Sequence, residues 1–164
     1  MYRIDGDIYM DFSQLKKAIS RFEEMFNAYN DDTASRTELE QDAIKDSLVK
    51  RFEYTIEVAW KSCKRHLDEE GFTEAATGSP KSIMRLAAEA GVITSAESWI
   101  VYINARQSTS HDYSMKKADE VLAVADQFYK DAVQLYQAMS GKSWSYAEEL
   151  LGAHMEKIEG TPMN

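Results

Sequence analysis

In the stretch "NARQSTSHDY", residues 104 to 113, Arg106 and His111 are separated by four polar residues, and Tyr113 follows two positions later. Those side-chain types could support RNA cleavage through the 2′-hydroxyl without a metal. That reaction needs a proton acceptor for the 2′-hydroxyl, a donor for the leaving 5′-oxygen and positive charge beside the phosphoryl oxygens. His111 is of the one type that titrates near neutrality without help. Arg106 would supply fixed charge and two parallel N–H donors, and Tyr113 could position a phosphate or accept a modification.

Helical spacing places Arg106 on one face with Trp99, Tyr102, Ile103, Ser110 and Tyr113, a face that otherwise has to be buried. A guanidinium there needs a partner, an interface or an anion. One solution is an ion pair with an acid of the second helix, Glu53 or Glu57, with His111 merely ending its own helix. The other is an anion site. His111 lies about 140° around a regular helix from Arg106, so the two meet only across a groove, or opposite their copies in a symmetric dimer. In "RFEYTIEVAWKS", residues 51 to 62, Glu57 and Lys61 have the spacing of a stabilising i,i+4 pair, and Trp60 reads as core. With Arg51 or Glu53 turned toward the fourth helix, this segment would form the second wall of a cleft at Arg106.

The elements that must hold these residues are helices. Leu15, Ala18, Ile19, Phe22, Met25, Phe26 and Tyr29 form one apolar stripe, with Ser13 as the expected cap. A second stripe runs from about Glu38 to Glu69 and is closed by Gly71. Ser79 followed by Pro80 opens a short third helix that stops at Gly91. Thr94 and Glu97 have capping-box spacing and place Trp99 early in a fourth helix. The last long helix begins near Ser114 or Met115, and a further short one is expected around Tyr146 to Leu151. The whole predicts an all-α, antiparallel up-and-down four-helix bundle with an additional short helix, in one domain spanning residues 1–164.

Composition agrees with that class and limits function. The chain has 164 residues, enough for one well-buried core, and only seven Gly and two Pro. Its formal net charge of −9 opposes nucleic-acid binding at long range, although a few cations converging in a cleft can act locally. No phosphate-binding Gly loop, paired cysteines or His-x-x-x-His spacing is present, so neither a cofactor nor a metal is expected. The start carries no export pattern, no apolar run is long enough to span a membrane, and Cys63 stands alone, which makes the cytoplasm the expected compartment.

"RFEYTIEVAWK" at 51 to 61, "GSPKSIMRLAAEAGVI" at 78 to 93, the tryptophan at 99 and "ARQSTSHDY" at 105 to 113 together resemble the nucleotidyltransferase substrate-binding family, the HepT-like branch of the HEPN proteins. The resemblance covers about residues 14 to 139 and leaves 140–164 as a C-terminal extension. It implies a helical homodimer working with a cognate small nucleotidyltransferase. It further implies a metal-independent endoribonuclease toxin whose Arg-x4-6-His motif falls on Arg106 and His111 at a cleft between subunits. In the antitoxin mechanism of this branch, the transferase attaches AMP to the tyrosine that corresponds to Tyr113. Arg51, Glu53, Gln107 and Ser110 are the expected supporting residues. Gln107 departs from the short polar residue, most often asparagine, that usually follows the motif arginine. The alternative is a non-enzymatic substrate-binding or scaffold subunit of the transferase.

Overall fold

The computed structural model describes residues 2–4, 7–107 and 115–144. Two short strands, β1 (Tyr2–Ile4) and β2 (Asp7–Tyr9), pair antiparallel with Tyr2 opposite Tyr9. Helices follow: α1 (Ser13–Tyr29), α2 (Glu38–Glu69), a 3₁₀ turn at Thr73–Thr77, α3 (Pro80–Glu89), α4 (Ala96–Gln107) and α5 (Met115–Ser140). The architecture is all-α, and α2 contacts each of the other four helices.

At 32 residues, α2 is roughly 48 Å long, enough to act as the spine. Its start is fixed by a reciprocal capping box. The Glu40 amide donates to Thr37 Oγ1 at 3.2 Å, and the Thr37 amide donates to Glu40 Oε2 at 2.9 Å. Its end is fixed by Gly71, whose φ of 93° allows the Phe72 amide to reach back to the Leu67 carbonyl at 2.9 Å. Ser79 caps α3 through the Ser82 amide, with Pro80 in the first turn as the sequence predicts. Two caps differ from expectation. The Ser13 amide, within the first turn of α1, donates to Asp11 Oδ1 at 2.8 Å. Before α4 the capping oxygen is Ser95 Oγ, which accepts from the Ser98 amide at 3.2 Å, one residue later than Thr94.

The α1–α2 contacts show opposite chain directions, since Thr55 Oγ1 bonds the Ala18 carbonyl while Gln41 bonds that of Tyr29. The α1–α5 pair also runs oppositely: Lys16 lies over Tyr136, and the Tyr129 hydroxyl donates to Glu23 at 2.7 Å. Phe128 of α5 is the hub of the core. Its ring meets Phe22 of α1 at 5.2 Å, Phe52 of α2 at 4.7 Å, and Trp99 and Tyr102 of α4 at 6.0 and 5.2 Å. Such edge-to-face aromatic pairs contribute about 0.5–1.5 kcal/mol each beyond area burial, so four helices are registered at one place.

The same contacts fix α4. Trp99, Tyr102 and Ile103 are buried, and the Tyr102 hydroxyl donates to Asp131 Oδ2 of α5 at 2.5 Å. Gln134 holds the connection before α4 by donating to the Val92 carbonyl at 3.2 Å. With one face pinned this way, the last turn of α4 is carried against α2. Among the described residues no helix is long and apolar enough to cross a membrane.

Candidate active site

Arg106 continues the Trp99–Tyr102–Ile103 stripe by one turn and emerges from the core at its edge, with a side chain 33% exposed. It lies in the final turn of α4, where the carbonyl end of the helix favours a cation. Its Nη1 forms an ion pair with Glu57 Oε2 of α2. The other oxygen of Glu57 meets Lys61 Nζ at 2.8 Å, and Trp60 Nε1 donates to Oε2 at 3.2 Å. One carboxylate therefore gathers an arginine, a lysine and an indole.

The electrostatics follow from that crowding. Partial burial opposes ionisation of Glu57, but the hydrogen bonds from Lys61 and Trp60 and the charges of Arg106 and Lys61 outweigh it and hold its carboxyl below the usual range. Glu57 stays ionised at neutral pH and neutralises much of the charge of Arg106. The pair remains open to solvent, because Glu57 also lines a surface depression of about 520 Å³ with Tyr54 and Trp60.

The other supporting residues have separate duties. Arg51 turns toward α1, donating from Nη1 to the Arg21 carbonyl at 3.2 Å and from Nε to Ser47 Oγ at 3.3 Å. Glu53 forms an ion pair with Lys117 of α5 and a looser one with Lys50 at 3.5 Å. Neither Arg51 nor Glu53 turns toward α4 as expected, because α1 and α5 supply their partners; the α2 side chain that meets Arg106 is Glu57. Gln107 is exposed as the last residue of α4. Ser110, His111 and Tyr113 lie outside the described residues. Trp60 and Lys117 are the contributors that sequence reasoning missed; Trp60 was legible only as an apolar residue three positions after Glu57, and Lys117 carried no signal. Among the described residues no group of three His, Cys, Asp or Glu side chains is arranged to hold a metal ion.

A helical domain with a part-exposed arginine–glutamate pair between its spine and the end of α4 defines a class that comparison with known proteins makes specific. Residues 10–141 match the family described as nucleotidyltransferase substrate binding protein like, and the chain belongs to that family. A Haemophilus influenzae protein named probable ribonuclease HepT is 32% identical over 90 residues, covering 54% of this chain and 62% of the relative; the match thus spans less than two-thirds of that relative's length. Among solved structures, a Haemophilus influenzae protein described as having the fold of a substrate binding domain of a nucleotidyltransferase superposes with a TM-score of 0.70 at 26% identity, over 79% of this chain and 98% of the other. A Thermus thermophilus protein shares the fold, with a TM-score of 0.62 at 24% identity over 76% and 98% of the two chains.

Proposed function

We propose that the protein is a metal-independent endoribonuclease of a toxin–antitoxin pair, active as a homodimer and silenced when a cognate nucleotidyltransferase attaches AMP to Tyr113. The observation that carries this reading is the part-exposed Arg106 at the end of α4, immediately before the segment that contains His111. His111 exchanges the protons of the reaction, and Arg106 stabilises charge on the phosphoryl oxygens. A phosphate arriving at Arg106 replaces Glu57 as its counter-anion. The similarity to a protein named probable ribonuclease HepT supports the same chemistry. Dimerisation is supported by α4 itself, which buries Trp99, Tyr102 and Ile103 yet leaves Val101 50% exposed and Ile100 and Ala105 only half-buried. Apolar residues around a whole helix call for a second covering surface.

A second reading, a non-enzymatic partner subunit of the transferase, is favoured by one feature: Glu57 already satisfies Arg106 within the chain. The two readings separate in one experiment. Protein expressed alone is incubated with a mixed RNA pool in EDTA, beside protein co-expressed with a cognate nucleotidyltransferase. The enzyme reading predicts cleavage by the first sample, and loss of cleavage together with a mass gain of one AMP on Tyr113 in the second. Absence of cleavage from unmodified dimer would favour the partner-subunit reading.

A further inference from the structure

Outside the Arg106 pair, the clearest concentration of chemistry is a basic face along α1 and α2. A groove of about 480 Å³ between these helices is lined by Gln14, Lys17 and Arg21 of α1 and by Lys50, Arg51 and Tyr54 of α2. It adjoins the depression of about 520 Å³ that holds Glu57; Gln14 and Tyr54 line both, and the second adds Trp60, Lys61, Lys64 and Arg65. Among the described residues, seven basic side chains thus line two adjoining depressions, whereas one acidic side chain, Glu57, lines either. In a chain of net charge −9 that segregation creates a local field opposite to the mean one.

The pattern follows from helical spacing. Gln14, Lys17 and Arg21 recur on one side of α1; Tyr54, Lys61 and Arg65 recur along α2, and the opposed chain directions lay the two rows side by side. Lys17, Arg21 and Lys50 are exposed, and no ion pair holds Lys17 or Arg21 among the described residues. Arg51 is committed to the Arg21 carbonyl and so stiffens the groove floor. At the junction stands Tyr54, a large aromatic left 52% exposed, with its hydroxyl tied by Gln14 Nε2 at 3.1 Å. From Lys50 to Arg65 the α2 row extends roughly 22 Å, and it passes the Glu57–Arg106 pair.

We propose that the α1–α2 groove binds the sugar-phosphate backbone of single-stranded RNA, with a base stacked on Tyr54, and leads the strand toward Arg106. A basic track with an exposed aromatic platform is the recurring solution for strands held without sequence readout. The inference rests on the ribonuclease reading for its choice of ligand, while the described lining of the groove does not include Arg106.

The test uses the full chain and a fluorescein-labelled 2′-O-methyl oligonucleotide of about twelve nucleotides, which lacks the attacking hydroxyl and cannot be cleaved. Fluorescence anisotropy is recorded from low to moderate salt. Wild type binds, and affinity falls as salt rises. The double variant Lys17→Glu/Arg21→Glu binds at least about tenfold more weakly, and the slope of log affinity against log salt drops by about 1.4, the loss of two single-strand phosphate contacts. Tyr54→Ala loses about tenfold through lost stacking, and Tyr54→Phe stays close to wild type. Unchanged circular dichroism in these surface variants excludes unfolding as the cause. Equal affinity and slope in the double variant and wild type would overturn the proposal. So would competition by polyglutamate as effective as by unlabelled RNA, which would assign the face to an acidic protein. Because the probe cannot be cut, loss of binding in the variants upholds the groove even in a chain that cleaves nothing.

Discussion

Glu57 of α2 and Arg106 of α4 form an ion pair at the rim of the core; Trp60 donates to the same carboxylate oxygen, and Lys61 pairs with the other. The arginine is therefore preorganised and charge-compensated at once. In the ribonuclease reading that makes Glu57 an internal competitor of the RNA phosphate, and Glu57→Gln should raise affinity for a non-cleavable oligonucleotide by about fivefold, roughly 1 kcal/mol, by removing the competing charge. Titration by fluorescence anisotropy checks this. Unchanged or weaker binding would show that the phosphate does not displace Glu57.

The same pair makes a pH-dependent contribution to stability. The folded-state pKa of Glu57 lies below its unfolded value, so its contribution is complete above the ordinary glutamate range near about 4.3 and is lost as pH falls through the lower folded value. Urea unfolding should find wild type about 0.5–1 kcal/mol more stable than Glu57→Gln at pH 7. The two curves should converge as the solution is acidified below that range. A difference that persists after protonation would assign the effect to packing.

Tyr102 titrates in the opposite sense. Burial, the hydrogen bond to Asp131 and the Asp131 charge all raise its phenol pKa far above the usual value. Its contribution is present below the unfolded pKa of about 10 and is lost as pH climbs from there toward the raised folded value. Tyr102→Phe should cost about 1 kcal/mol at neutral pH, since Gln127 Nε2 still donates to Asp131 at 3.0 Å and leaves that carboxylate partnered. Chemical denaturation at pH 7 and pH 11 should show the penalty at the first and its decline at the second.

Phe128 tests the core. Phe128→Ala should destabilise the fold by about 3–5 kcal/mol, because the ring meets aromatics from α1, α2 and α4 and the cavity cannot collapse from three sides together. A loss under about 1 kcal/mol would mean that the four helices are not registered through this ring.

The helices were legible to different degrees for identifiable reasons. The limits of α2 were readable because a long apolar stripe ends at a glycine that takes positive φ. Ser79–Pro80 announced α3 because cap and first-turn proline reinforce each other. The α4 cap falls one residue beyond the expected one, since Thr94 and Ser95 are adjacent and both of capping type. The β1–β2 pairing went unread even though Asp5 and Gly6, a dipeptide typical of tight hairpins, separate the strand sequences. For the site, the stripe announced that Arg106 would need a partner, and Glu53 and Glu57 were both available one turn apart. Choosing Glu57 required the axial register of α4 against α2, which Trp99, Tyr102 and Phe128 set through contacts distant in sequence. Arg51 carried no sign that its guanidinium would be spent on α1.

In the ribonuclease reading Arg106 and His111 carry the reaction, so removing either side chain must slow cleavage. Purified wild type, Arg106→Ala and His111→Ala, matched in circular dichroism and in oligomer mass, are incubated with single-stranded RNA in EDTA, and initial cleavage rates are measured. Cleavage by wild type with a fall of about 10²-fold or more in each variant is the predicted result. Equal rates in all three samples, or no cleavage in any, would show that Arg106 and His111 do not form a ribonuclease site.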